Sequence, residues 1–143
     1  VRARRPALQL TMVEDIMNTA PPMLSGICQI ALASDDPATL VAFYRDTLGF
    51  PVLFEASGMT FFQSGATRLM IGHKQPGQEV GGVAVIYFEP RDWSAAEAGL
   101  EQKGVVFTHP AQVVQRAEGR ELALRAFKDP EGHTLALLGW RPA

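Results

Sequence analysis

The sequence has a single cysteine, Cys28, and no long uninterrupted hydrophobic run. One thiol cannot form an internal disulfide, whereas small secreted folds normally carry an even set of cysteines. A membrane-spanning helix needs about 20 apolar residues in succession, and Gly, Pro or charged residues interrupt every apolar stretch here. These absences predict a soluble chain in the reducing cytoplasm, with no membrane partner.

The chain also lacks a strong excess of either charge. Thirteen Lys and Arg side chains stand against fifteen Asp and Glu side chains, which gives a formal net charge of −2. Proteins that bind nucleic acid normally present a basic field, so we expect no nucleic-acid partner. With 143 residues, 47% of them hydrophobic, the chain is long enough to bury one core without disulfides or structural metals.

Strand and helix signals follow a βαβββ order from Gly26 onward. The apolar run GICQIALAS precedes Asp36, a helix N-cap, and Pro37, which suits the first helical position. Gly49 ends this helix. Three strand candidates, PVLFEA, MTFFQSG and TRLMIGH, follow and are separated by turn residues.

The same order recurs in the second half of the chain. A Gly- and Pro-rich connection at residues 74–82 precedes the strand GVAVIYFEP, a helix capped by Asp92 or Ser94, and further strands that end in HTLALLGW. Two copies of one unit indicate an internal duplication. We therefore predict an α+β fold in which two βαβββ modules form a cupped, mostly antiparallel sheet.

The predicted domain covers residues 26–140, with modules at about 26–73 and 82–140. Residues 1–25 precede it. Their Arg residues are followed by polar and acidic residues that interrupt any apolar stretch, so we do not interpret them as a signal peptide. We expect a frayed arm, a short helix packed on a partner, or an extended start of the chain, and the sequence does not distinguish these three.

Two strings of residues resemble a known family. QIALASDDPATLVAFYRDTLGF and FKDPEGHTLALL are similar to segments of the vicinal oxygen chelate superfamily, which includes glyoxalase I, bleomycin-resistance proteins and ring-cleaving dioxygenases. The resemblance covers about residues 26–140 and implies a glyoxalase-like fold. It implies no single function, because this fold serves isomerases, dioxygenases, transferases and drug-binding proteins.

The resemblance also implies where a divalent metal would bind. Metal-dependent members place ligands on the first, fourth, fifth and eighth strands, and the corresponding residues here are Gln29, one near Met70, Gly82 and Ala136. Of these, only Gln29 has an oxygen donor, whereas a catalytic metal normally needs three protein ligands. We therefore expect neither a metal nor another cofactor.

A competing hypothesis is an enzyme of the same superfamily, either a lyase or a dioxygenase, with an atypical metal site. His73, His109 and His133 are its candidate ligands, although they show no close metal-ligand spacing. Glu55 and Glu89 near strand ends form no evident catalytic pair. A third hypothesis is a structural or regulatory domain whose cup is filled by its own side chains. The catalytic residues, if any, stay open.

Strand alternation predicts which side chains line the cup. If Gln29 faces the cup, Ala31 does too, and Cys28 packs as inert core. The same alternation applied to the other strands gives a mostly apolar lining. The predicted ligand-binding residues are Gln29, Ala31, Phe61, Met70, Gly82, Ala84, Ile86, Ala136 and Leu138.

These residues predict a homodimer that binds a small, largely apolar or aromatic molecule in its cup. Gln29 would supply both a donor and an acceptor to the ligand. Burial of a highly charged ligand in an apolar cup is costly, so we expect a largely neutral one. Arg68 and Arg125 are the alternative: each is an anion clamp if it points into the cup and a solvated charge if it points outward.

Overall fold

A computed structural model describes residues 22–143. The predicted arm at residues 1–25 therefore lies almost wholly outside the described residues. Two four-stranded sheets with two helical segments make up the fold, which confirms the α+β class and the two βαβββ modules. Among the described residues, no helix has both the length and the apolarity needed to cross a bilayer.

The first sheet belongs to the N-terminal module. Its strands lie in the spatial order β1-β4-β3-β2, with β1 parallel to β4 and the other neighbours antiparallel. The strands are β1 Gln29–Ser34, β2 Val52–Ala56, β3 Met59–Ser64 and β4 Thr67–His73. Helix α1, Pro37–Ala42, follows β1 and continues as a π-helical turn over Phe43–Thr47.

Asp36 caps α1 as the sequence predicts. Its carboxylate accepts hydrogen bonds from the backbone N–H and the hydroxyl of Thr39. These bonds favour the ionised form and lower the pKa of Asp36. The cap therefore fixes the start of the helix directly after β1.

The second sheet repeats this topology in the C-terminal module. Its strands lie in the order β5-β8-β7-β6, and β5 runs parallel to β8. The strands are β5 Val85–Phe88, β6 Gln112–Ala117, β7 Arg120–Lys128 and β8 Thr134–Pro142. Helix α2, Trp93–Gln102, follows β5 and is capped by Asp92, whose carboxylate accepts a hydrogen bond from the Ala95 N–H.

One hydrophobic core joins the two modules. Side chains from both sheets and both helical segments form a single buried cluster, which includes Leu40, Tyr44, Phe62, Phe127 and Leu135. Each such aliphatic or aromatic side chain contributes about 1.5–3 kcal/mol when fully buried. Both sheets thus direct one face toward a shared core.

The other face of each sheet, which we call the outer face, lies away from this core. Neither sheet pairs its edge strands with the other sheet, so the strands form two open sheets and not one continuous cupped sheet. Cys28 is exposed just before β1, and its prediction as inert core is wrong. The strand begins only at Gln29, so the alternation does not extend back to the cysteine.

A buried hydrogen bond links the modules. The Tyr44 hydroxyl, in the π-helical turn, donates to the Asp129 Oδ2 at 3.0 Å in the turn before β8. Asp129 Oδ1 accepts from the backbone N–H groups of Glu131 and His133, each at 3.0 Å. Burial, together with the adjacent Asp129 carboxylate, raises the pKa of Tyr44. The tyrosine therefore stays a neutral donor.

Replacement of Tyr44 with phenylalanine tests this link. We expect Tyr44→Phe to lower the free energy of unfolding by about 1–3 kcal/mol, because the buried Asp129 carboxylate loses a donor. Urea denaturation of both proteins measures the difference. Ser94→Ala is the control, since it removes an exposed hydroxyl from α2 outside both sheets, and its effect should stay within about 0.5 kcal/mol. Equal effects of the two substitutions would contradict a structural role for the Tyr44 hydroxyl.

Candidate ligand-binding site

The outer face of the first sheet carries a polar row at one end. Gln29 on β1, Arg68 on β4 and Gln63 on β3 are cross-strand partners, and partners of this kind lie on the same face. Gln63 donates from its amide to the Gly65 carbonyl of the following turn. Gln29 Nε2 lies 3.7 Å from Met70 Sδ, and because sulfur is a weak acceptor the amide keeps most of its hydrogen-bonding capacity.

The next row along the strands is apolar. It consists of Ala31, Met70, Phe61 and Phe54, which are again cross-strand partners. The rings of Phe54 and Phe61 stack with centroids 4.4 Å apart and an interplanar angle of 18°. Phe54 is 45% exposed and Phe61 only 9%, so of the two stacked rings it is Phe54 that presents an aromatic surface to the outside.

A cavity of about 300 Å³ opens beside this apolar row. Ala31, Met59 and Met70 line it from the sheet, and its walls come from the Ser57–Gly58 turn and from Gln75 and Gln78 after β4. Small-molecule sites usually combine an apolar lining with a few polar groups in a volume of roughly 300–1,000 Å³. The cavity is therefore large enough for one small molecule, and its flexible methionines can adapt to the shape of a ligand.

The structure brings four of the predicted ligand-binding residues together. Gln29, Ala31, Phe61 and Met70 lie on the outer face of the first sheet in adjacent rows. Two more predicted residues, Ala136 and Leu138, lie on the outer face of the second sheet. Phe54 was not among the predicted residues.

The predicted cup-facing residues of the fifth strand, Gly82, Ala84 and Ile86, do not lie on the outer face of β5. Gly82 and Ala84 precede β5, and Ile86 packs against the core as the partner of Leu135. Tyr87, the partner of Ala136, lies on the outer face instead. Alternation counted from Gly82 fails because this glycine has φ +51°, which interrupts the extended backbone.

The same shift changes one implied metal position. Gln29 and Val85 each begin a strand that leads to a helix. The number of residues from Gln29 to the N-cap Asp36 equals the number from Val85 to the N-cap Asp92. Val85, and not Gly82, is therefore the counterpart of Gln29 in the second module.

The side chains at the four equivalent positions do not fit a divalent cation. Gln29, Met70, Val85 and Ala136 together offer one amide oxygen and one thioether sulfur. Hard divalent ions prefer several oxygen or nitrogen ligands. Across residues 22–143, no group of three or more His, Cys, Asp or Glu side chains is arranged to hold a metal ion.

The histidines of the atypical-metal hypothesis have separate surroundings. His73 lines the cavity. The Nδ1 of His109 lies 2.6 Å from the Pro110 carbonyl oxygen in a loop, and His133 is buried with its Nδ1 2.7 Å from Asp129. These different neighbours provide no shared coordination site.

The two arginines of the anion-clamp alternative also differ. Arg125 lies on the core-facing side of β7, where it pairs with Glu97 at 2.7 Å and Glu101 at 3.5 Å. Arg68 lies on the outer face, in the row of Gln29. Only Arg68 is therefore placed to meet a ligand on this surface.

Comparison of the sequence with family models points to the same glyoxalase-like fold as the strand topology. Residues 26–137 match the family model of the Glyoxalase/Bleomycin resistance protein/Dioxygenase superfamily. The chain belongs to this superfamily. No curated protein matches the sequence at a significant level.

Solved structures with the glyoxalase-like fold resemble this superfamily member over most of its length. Integron cassette protein VCH_CASS1 from the mobile metagenome of V. cholerae is 21% identical, with a TM-score of 0.70 over 82% of this chain and 97% of that one. TnmS3, an antibiotic binding protein from Streptomyces sp. CB03234, is 20% identical, with a TM-score of 0.67 over 85% and 99%.

An enzyme is among these structures as well. Lactoylglutathione lyase from Agrobacterium tumefaciens is 20% identical, with a TM-score of 0.65 over 83% of this chain and 95% of that one. Such low identities establish the shared fold only.

Metal titration tests the donor set of this glyoxalase-like chain. We expect dialysed protein to bind Ni²⁺, Zn²⁺ or Mn²⁺ at no single site with micromolar affinity, because a mononuclear site normally needs at least three protein ligands. Calorimetry and elemental analysis after growth in metal-supplemented medium measure this. A variant with Gln29→His, Val85→His and Ala136→Glu restores donors and serves as the comparison. One firmly bound ion per wild-type chain would contradict the expectation.

Proposed function

We propose that the protein binds a small, largely apolar or aromatic molecule on the outer face of the first sheet, without a divalent metal. The observation that carries this proposal is the cavity of about 300 Å³ lined by Ala31 and Met70, which lie in the same cross-strand row as the stacked Phe54 and Phe61 rings. A planar ligand would occupy the cavity over Ala31 and Met70 and extend along this row toward the exposed Phe54 ring.

Burial and stacking supply the affinity in this proposal. Apolar surface removed from water contributes about 25 cal/mol per Å² before the cost of immobilising the ligand. An aromatic pair adds about 0.5–1.5 kcal/mol beyond this area term. Gln29, at the edge of the apolar row, offers a donor and an acceptor that would orient a polar atom of the ligand.

The donor set favours a binding role over metal-dependent catalysis. The similar structures include both an antibiotic binding protein and a lyase, so the fold is compatible with either role. Met70, Val85 and Ala136 offer no oxygen or nitrogen side-chain ligand at the equivalent metal positions. The proposal therefore follows the antibiotic-binding type of relative.

A homodimer is the second part of the proposal. Outside the cavity the outer faces of both sheets are open, and they expose Phe54, Tyr87 and Trp140 by 45%, 52% and 37%. Exposed apolar groups of this kind favour a protein partner. We propose that the second sheet of one copy, with Ala136 and Leu138, covers the first sheet of another and completes the cup.

Substitution of Gln29 tests the binding site. We expect Gln29→Leu to weaken the binding of a small aromatic ligand by about 1–3 kcal/mol, because a polar atom of the ligand loses its partner. Calorimetry against a small aromatic library measures this. Gln102→Leu, at the exposed end of α2, is the matched control and should bind as the wild type does. Unchanged affinity in Gln29→Leu would remove Gln29 from the site.

The mass in solution tests the dimer. We expect light scattering at micromolar concentration to give twice the 15.6 kDa of one chain. Tyr87→Asp should shift the equilibrium toward the monomer, because it buries a charge in the proposed interface. Val106→Asp is the control, since Val106 is 80% exposed and lies outside both sheets. A wild-type monomer would contradict the proposal.

A further inference from the structure

The outer faces of the two sheets carry positive charges and no negative ones. Among the described strand positions on the outer face of the first sheet, Arg68 is the one charged side chain. On the second sheet the outer-face positions include Arg120 and Lys128. The described strands place no Asp or Glu on either outer face, although the whole chain has more acidic than basic residues. The charge of these surfaces is therefore specific to them.

Arg68 also differs from the arginines of the core-facing side in its partners. Those arginines have carboxylate partners: Arg116 pairs with Glu121 at 2.9 Å, and Arg125 pairs with Glu97 at 2.7 Å. Arg68 forms no salt bridge with any carboxylate of residues 22–143. Its guanidinium lies 5.9 Å from the centroid of the Phe61 ring. A half-buried guanidinium without a counterion thus stands beside the aromatic surface.

The spacing of the rows sets the shape of a ligand that reaches both features. Residues two apart on a strand are about 7 Å apart, so the row of Arg68 lies about 7 Å from the row of Met70 and Phe61. A fused bicyclic ring in the apolar row therefore brings a group at its end next to Arg68. Gln29, in the same row as Arg68, adds an amide N–H donor.

We propose that the ligand is an aromatic carboxylate, whose ring lies over Met70 and against the exposed Phe54 ring and whose carboxylate binds the Arg68 guanidinium. This inference rests on the proposed function and names its ligand class. The planar guanidinium presents two parallel N–H donors that match the two carboxylate oxygens. One anionic end at the edge of the apolar row is compatible with a largely apolar body inside the cavity.

Two isosteric probes test the proposal, 2-naphthoate and 2-naphthamide at pH 7.5. We expect the wild type to bind 2-naphthoate about tenfold tighter or more than the amide, as a charge-assisted hydrogen bond provides. Arg68→Gln should reduce this ratio to about one, whereas its affinity for the amide should stay within about twofold. Arg68→Lys should retain part of the preference, since it keeps the charge and loses the planar geometry.

The control is Arg91→Gln, which removes an exposed arginine from the loop before α2 and should preserve the wild-type ratio. Thermal unfolding establishes that each variant is folded. Equal binding of the two probes by the wild type, or an unchanged ratio in Arg68→Gln, overturns the carboxylate inference and leaves the proposed aromatic site intact. Failure of both probes to bind the wild type overturns the proposed function itself.

Discussion

The buried Asp129 carboxylate is the interaction on which the arrangement of the two modules depends. It holds the turn before β8 through the N–H groups of Glu131 and His133 and accepts the Tyr44 hydroxyl from the other module. The same turn directs Glu131 Oε1 toward the backbone N–H groups of Asp35 and Asp36, at 2.6 and 2.9 Å. One short turn thus fixes both the end of β1 and the helical segment that follows it.

This link determines which faces of the sheets stay available. Because the helical segment of the first module docks against the second, both sheets give their helix-bearing faces to the shared core. The strand residues that alternate with the core-facing ones then remain on the outer face. On the first sheet these include Gln29 and Met70. The core arrangement therefore determines which sheet residues form the floor of the candidate site, and the Ser57–Gly58 turn with Gln75 and Gln78 adds its walls.

Local signals in the sequence were sufficient for the βαβββ order and for much of the first strand. Asp36 marks the helix start, and alternation from Gln29 places Ala31 on the same face of β1 as Gln29. Alternation fails at β5 because the backbone of Gly82 leaves the extended region. No local pattern announces that interruption, since a glycine inside an apolar run is also compatible with a strand.

Phe54 and Arg68 show a second limit of sequence reasoning. The pairing of β2 with β3 shifts register between Val52 and Phe54, and this irregularity brings Phe54 opposite Phe61. A strand that is read as a regular alternation does not reveal which ring it will stack on. Likewise, the position of Arg68 is visible from alternation only once β4 has been paired with Gln29 on β1. Cross-strand register is a tertiary property, and the site depends on it.

The proposed ligand chemistry depends on a guanidinium, Arg68, where metal-dependent relatives use a divalent metal ion. Metal-dependent relatives, as the family resemblance implies, hold a divalent cation with side chains that this chain lacks at Met70, Val85 and Ala136. The outer face of the first sheet retains a single positive charge, the Arg68 guanidinium, beside Gln29. A guanidinium attracts and orients an oxyanion through fixed N–H donors, but it has no open coordination position with which to activate water or polarise a carbonyl as a Lewis acid. This difference is the physical reason why we propose recognition of an aromatic carboxylate here and not its metal-assisted transformation.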